Sequence, residues 1–162
     1  KTMYETKFIF IAAMNPCPCG NLLSSLKECR CNELEIQRYK NRLSEPFLDR
    51  IDLYVVMNDS FSDNKNIVSS TELHQNVIKA FIKQKKRGQK ELNGKLNEED
   101  IKKYCILDDE AKQILEKARL NYQLSFRSIN KVLKVSRTIA DLNDNEIITK
   151  NDILKSLNFR RR

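Results

Sequence analysis

The stretch Lys7-Phe8-Ile9-Phe10-Ile11-Ala12-Ala13-Met14-Asn15-Pro16 is a nearly unbroken apolar run that stops on a proline. β-Branched and aromatic residues dominate it, and the residue before a proline avoids the right-handed helical region, so the run reads as a strand. Apolar residues at consecutive positions suit a strand covered on both faces, as in a parallel sheet flanked by helices. The seven residues Phe8–Met14 fall far short of the roughly 20 needed to span a bilayer. Lys1 and Lys7 precede the run as in a secretion signal, but Asn15-Pro16-Cys17 is neither a small-residue cleavage site nor a lipid-attachment box.

Working outward, Ile51-Asp52-Leu53-Tyr54-Val55-Val56-Met57 reads as a second strand. Between the two lie a loop over residues 15–31 with four cysteines, a helix opened by Asn32 with Glu35 as its capping partner, and a short helix from Pro46 to Arg50. A single pair of strands cannot close a core, which predicts that these residues belong to a larger sheet. Residues 58–69 are polar and turn-forming, and everything beyond reads as helix. Ser69 with Glu72 opens a helix that Gly88 stops; Asn97 and Asp108 open two more; Ser125 caps a long one; Thr149 with Asp152 begins the last. The expected organisation is an α/β segment over 1–58, a linker over 59–69 and an all-α domain over 70–162.

Composition narrows the function. The 162 residues carry 30 Lys+Arg against 22 Asp+Glu, a net charge of +8, and 40% hydrophobic residues, which excludes wholesale disorder. Basicity is compatible with a polyanionic partner without naming it. No G-x-x-x-x-G-K-[ST] phosphate cradle is present; the near match Gly88 to Gly94-Lys95 has one residue too many and Leu96 after the lysine. The five cysteines comprise the pairs Cys17/Cys19 and Cys29/Cys31 and a separate Cys105. With no secretion signal, they read as thiols or metal ligands in a reducing, cytoplasmic setting. Four soft ligands in fifteen residues are enough for a tetrahedral structural zinc site, against four reduced thiols as the alternative.

Three residues stand where phosphate chemistry needs them. Asn15 closes the first strand, and ligands of open α/β sheets sit beyond strand carboxyl ends; taken alone it is also an ordinary turn residue. Arg50 lies between a short helix and a strand, placed either to reach a neighbouring subunit's phosphoryl group or to pair with Asp49 or Asp52. Arg127 occupies a helix first turn, where the macrodipole disfavours a cation unless an anion is near. Residues 111–140 hold seven basic residues and one acidic one, and Lys131, Lys134 and Arg137 recur at threes on the polar side of the long helix. That spacing suits either a solvated face or nucleic-acid phosphates. The sole histidine, His74, reads as a helix-surface residue.

Taken in order, Phe10-Ile11-Ala12-Ala13-Met14-Asn15-Pro16-Cys17-Pro18-Cys19-Gly20, Cys29-Arg30-Cys31 and Arg42-Leu43-Ser44-Glu45-Pro46-Phe47-Leu48-Asp49-Arg50-Ile51-Asp52 resemble the magnesium-chelatase-like AAA+ ATPases, most nearly the ComM/YifB group. Leu124-Ser125-Phe126-Arg127 and Leu133-Lys134-Val135-Ser136-Arg137-Thr138-Ile139-Ala140-Asp141-Leu142 resemble that group's lid helix. The resemblance implies the C-terminal strands and helices of an AAA+ parallel-sheet core followed by a helical lid, in a protein whose phosphate cradle lies upstream. It implies Asn15 as sensor 1, Arg50 as an arginine finger acting on the neighbouring subunit's nucleotide, and Arg127 as sensor 2. It also implies ATP with Mg2+, a ring oligomer, commonly a hexamer, and DNA branch migration in natural transformation. Glu45 before Pro46, Phe47, and Phe126 before Arg127 depart from the group's pattern, as does the cysteine loop's Asn21-Leu22-Leu23-Ser24-Ser25. Two other readings are a magnesium chelatase subunit powering metal insertion into a porphyrin, and a non-enzymatic zinc-stabilised nucleic-acid-binding module.

Overall fold

A computed structural model describes residues 2, 3, 8–57, 59 and 68–160. The chain divides into two compact units, Lys1–Glu45 with Met57–Ser62, and Pro46–Val56 with Asp63–Arg162. Of the expected 59–69 linker, residues 60–67 lie outside the described residues, as does Lys7 of the first apolar run.

In the first unit, α1 (Glu33–Lys40) begins at Asn32, whose side chain accepts from the Glu35 amide while Glu35 accepts from the Asn32 amide, the reciprocal cap its spacing predicts. No residue of α1 is buried. The second unit begins at Pro46, within the one-turn α2 (Glu45–Leu48), whose Leu48 is buried. It continues with α3 (Ser70–Lys86), a 3-10 turn (Asn93–Lys95), α4 (Glu98–Tyr104), α5 (Asp109–Asn121), α6 (Phe126–Leu142) and α7 (Lys150–Asn158). Ser69, Asn97, Asp108 and Ser125 each accept from the third amide of their helix, and Gly88, at φ +76°, stops α3.

The helix α6 is central, packing against α3, α4, α7 and the 3-10 turn, while α5 packs on α7. Val132, Leu133 and Ala140 of α6 meet Leu96, Ile101, Tyr104, Ala111, Ile148 and Ile153 in one core. A parallel bridge between Leu107 and Ile148, made by Asp108 N to Ile148 O (3.1 Å) and Ile148 N to Ile106 O (2.8 Å), aligns the segments that lead into α5 and α7. The all-α expectation for this part holds.

The parallel-sheet expectation is not met among the described residues: residues 8–14 and 51–57 form no ladder. A strand exists only through its partners, since a lone extended segment leaves its amides and carbonyls without cross-chain bonds. These two segments belong to different units apart from Met57, and the apolar side chains expected inside a sheet stand exposed: Ile9 at 85%, Ile11 at 89%, Val56 at 68%.

Inside the second unit a polar network replaces part of the apolar core. The Asp141 carboxylate, fully buried, takes an ion pair from Arg137 (3.0 Å), another from Arg87 and a hydrogen bond from Asn93 Nδ2 (2.8 Å). Asn93 in turn donates its amide N–H to Gln84 Oε1 (3.0 Å). Thus α3, the 3-10 turn and α6 are joined at one carboxylate, and the largely polar 89–96 stretch is pinned by a buried Asn93 and Leu96. A second carboxylate, Asp152, is buried at the start of α7 and accepts from Thr149 N, Thr149 Oγ1, Asn143 Nδ2 and Asn145 Nδ2. Burial opposes its charge, but these four donors outweigh burial and hold the carboxyl below its usual range.

Replacing Asp141 with Ala should cost about 3–5 kcal/mol in urea unfolding, because Arg137 is left buried without its counter-charge. Asp152 stabilises the fold fully above the unfolded carboxyl value near 3.8 and loses that contribution as pH falls through its lower folded value. An acid titration of unfolding free energy should therefore be steeper for the wild type than for Asp152→Asn in that range.

Candidate functional site

In the first unit the turn from Cys17 to Gly20 is closed by Gly20 N to Cys17 O (3.1 Å), with Gly20 at φ +81°, a conformation that costs any other residue steric strain. Asn15 lies over this glycine: a Cβ placed there would stand 3.7 Å from Asn15 Nδ2. The chain returns through Ser24 and Ser25, whose Oγ (2.8 Å) and amide (2.9 Å) donate to the Asp59 carboxylate, and then delivers Cys29 and Cys31 to the start of α1. Those bonds, led by the Ser24 hydroxyl, hold the Asp59 carboxyl below its usual range.

The result is a cluster in which the Sγ atoms of Cys17, Cys19, Cys29 and Cys31 all lie within 4.8 Å of one another. Cys17 stands 3.4 Å from Cys19 and 3.7 Å from Cys29, and Cys19 is 3.6 Å from Cys29. A tetrahedron with zinc–sulfur bonds near 2.3 Å has edges of about 3.8 Å, so the four thiols fit zinc in number, softness and spacing. Their protonation agrees. The backbone amide of Asn21, followed by that of Arg30 and the thiol of Cys17, brings Cys19 down to about 6. For Cys31 the backbone of Cys19 favours the thiolate, but desolvation and the neighbouring Cys19 and Cys17 overcome it and push the thiol up to about 12. Cys29 is raised by the same crowding against its own backbone bond. Several thiolates this close repel one another, and a divalent cation removes that repulsion.

Cys17 is the one buried hydrophobic side chain described in the first unit. A unit with so small an apolar core is of the kind that disulfides or a metal ordinarily hold together. Beside the cluster, Pro18, Glu35, Arg38, Tyr39 and Arg42 line an open groove of about 370 Å³. The Arg42 guanidinium stands 5.8 Å from the Tyr39 ring centroid. The Arg38/Arg42 spacing of four on and after α1 was the signal for this groove in the sequence.

The remaining candidates sit on the second unit, while Asn15, exposed, sits on the first. Arg50 follows α2, exposed, its guanidinium donating to Pro46 O. Arg127 is exposed in the first turn of α6. Four residues on, Lys131 turns to the 49–52 segment, donating to Asp49 O and to Ile51 O (3.3 Å), with Asp52 Oδ1 at 4.0 Å. Lys134 is half-buried and reaches Gly94 O at 3.4 Å.

Arg137 corrects the expectation of a basic outer face on α6. It is 1% exposed and spends its guanidinium on Glu146 O (2.8 Å), Asn145 O (2.6 Å) and Asp141. Spacing by threes does not follow a helix stripe indefinitely: each step falls short of a turn, and six residues carry the position round into the core. Arg137 therefore cannot meet a phosphate from solvent.

Comparison with known proteins divides the chain between residues 65 and 68, which leaves Pro46–Val56, grouped with the second unit in the structure, inside the first matched segment. Residues 68–160 match the family model described as magnesium chelatase, subunit ChlI C-terminal, and residues 1–65 match that of magnesium chelatase, subunit ChlI. The chain belongs to the magnesium chelatase ChlI family. It is 36% identical to the uncharacterized protein YifB of Escherichia coli and 34% identical to the competence protein ComM of Haemophilus influenzae, in each case over 99% of this chain. It is 26% identical, over 97% of its length, to an uncharacterized protein of Mycobacterium tuberculosis. The match is to the ComM/YifB group. The chain spans about a third of the length of these relatives, 32% in each case. No described helix is long and apolar enough to cross a membrane.

Metal analysis of protein purified without chelator should give one zinc per chain, and Cys17→Ser should abolish it. Thiol titration of the native zinc form should leave Cys105 silent, since burial pushes that thiol up to about 11 despite nearby Arg137 and Arg87. Chelation should then release four reactive thiols, with Cys105 appearing only on unfolding.

Proposed function

We propose that this chain is the sensor and lid portion of a ring-forming AAA+ ATPase that couples ATP hydrolysis to DNA remodelling. The observation that carries the reading is the match of both halves, in order, to the ChlI family models, joined to whole-chain similarity to ComM. In this reading Asn15, Arg50 and Arg127 are the phosphate-directed groups. Bound ATP with Mg2+ supplies the phosphoanhydride to be cleaved.

The side chains present fit a polyphosphate. Arg127 is exposed on the first turn of α6, where the helix dipole adds to its charge, and it makes no ion pair or hydrogen bond among the described residues. In our reading it holds phosphate of its own subunit. Arg50 is exposed and projects from a turn fastened to the helical body, a placement that suits stabilising developing charge on a neighbour's phosphoryl group. Asn15 offers one donor and one acceptor, enough to orient a water. In this reading residues 8–14 and 51–57 pair through their backbones with sheet strands contributed elsewhere in the full-length protein, and helices there cover their exposed apolar side chains. Zinc on the four cysteines braces the first unit, while Lys134, with Lys131 secondary to its inward contacts, is the basic contribution toward DNA.

The ring, commonly of six subunits, a cytoplasmic location and the DNA substrate are parts of this proposal. Metal insertion into a porphyrin is the alternative, favoured by the family's naming for magnesium chelatase. Binding of branched DNA by the full-length protein would support the first reading, and stimulation of porphyrin metallation with partner subunits would replace it. In the full-length protein, Arg50→Ala should lower turnover about 10³-fold while nucleotide affinity changes less than a few-fold. Activity should return when such subunits assemble beside ones that retain Arg50 but cannot bind ATP. Undiminished turnover in Arg50→Ala would remove Arg50 from the mechanism.

A further inference from the structure

The segment Pro46–Val56, which carries Arg50, packs with the helical body that carries Arg127. Two contacts fasten it there. Tyr54 N donates to Phe159 O (2.8 Å), beyond the end of α7, while the Tyr54 hydroxyl donates to Leu48 O (2.5 Å) and closes the segment on itself. The second contact to the body is Lys131. Its ammonium has three N–H donors and meets three acceptors on either side of Arg50: Asp49 O, Ile51 O at 3.3 Å and Asp52 Oδ1 at 4.0 Å. Its side chain is 17% exposed, so these oxygens replace most of its water. Arg127 lies four residues earlier on the same helix, hence on the same face.

We propose that Lys131 is a positioning residue that clamps the turn bearing Arg50 onto α6, so that Arg50 and Arg127 move as one body. The roles of those two arginines rest on the function proposed above; the clamp itself does not. Under this arrangement a subunit's grip on its own nucleotide through Arg127 and its reach toward the next subunit's nucleotide through Arg50 cannot vary independently. A lid rotation caused by nucleotide at one site is delivered to the neighbouring site through a lysine and two backbone carbonyls.

The acceptors are mainly carbonyl oxygens, so a second cation of similar reach serves as well and an apolar stem does not. In the full-length protein, Lys131→Met should speed hydrogen exchange at the Ile51 and Tyr54 amides about tenfold or more, while core amides of α6 and the melting temperature hold. Lys131→Arg should keep wild-type exchange. Steady-state hydrolysis by Lys131→Met should show kcat reduced tenfold or more with KM for ATP within twofold, and Lys131→Arg should restore kcat. A misplaced catalytic group commonly costs about that much or more. In mixed assemblies Lys131→Met should be complemented by Arg127→Ala subunits, which supply an intact Arg50, and not by Arg50→Ala subunits. Unchanged exchange in Lys131→Met overturns the clamp whatever the hydrolysis shows. Faster exchange with undiminished kcat, in a protein that Arg50→Ala inactivates, overturns the coupling. If Arg50→Ala itself leaves turnover intact, the function assigned to Arg50 has failed, and the exchange result still decides the clamp.

Discussion

The helical body depends on a buried charge being matched. Asp141 draws Arg137 from within α6, Arg87 from the end of α3 and Asn93 from the 3-10 turn onto one carboxylate. Arg137 extends the network to the backbone of Asn145 and Glu146, which fixes the turn after α6 and with it the approach to α7. An apolar core of mostly small and medium side chains surrounds this network without specifying direction. Buried ion pairs add little net stability over apolar substitutes, yet they penalise every arrangement that separates them. The orientation of α6, and so the placement of Arg127 and Lys131, follows from that penalty.

The first unit is built on a different principle. It has no buried residue on its helix, and Cys17 is the one fully buried side chain among its described residues. Its order comes from tight turns and polar caps: the Gly20 turn, the Asp59 bridge to Ser24 and Ser25, and the Asn32–Glu35 exchange. These elements gather four thiols at zinc–sulfur spacing, and a metal there would take the place of an apolar core. Asn15, seated over Gly20, is held by the same turn that places Cys17 and Cys19.

Helix starts were the most legible feature of the sequence. Asn32, Ser69, Asn97, Asp108, Ser125 and Thr149 all cap where their spacing put them, because capping is decided within four residues and needs no tertiary knowledge. The cysteine cluster was legible for the same local reason. The strands were not, because ladders require partners that neither run contains, and hydrophobicity records only that a partner is wanted. Arg137 was misread since a basic residue at regular spacing looks solvated until its counter-charge, Asp141, is seen one turn away on the same helix. Lys131 was read as outward-facing because its acceptors are backbone carbonyls some eighty positions away, and carbonyls carry no signature in a sequence. The groove beside Pro18 fell between these cases: its arginine spacing was visible, its concavity was not.

The bridge between Leu107 and Ile148 bears on how this body assembles. It joins the approaches to α5 and α7 only after α5 and α6 have folded back between them, so it rewards the chain late. Helices α5 and α6 are local and quick to form, whereas this closure waits on the whole intervening excursion. Once made, it ties the entry of α7 to the interior, so that this helix is denied the independent fraying open to a segment attached by one connection. The second unit is thereby a closed circuit of helices, with its seam at two backbone hydrogen bonds.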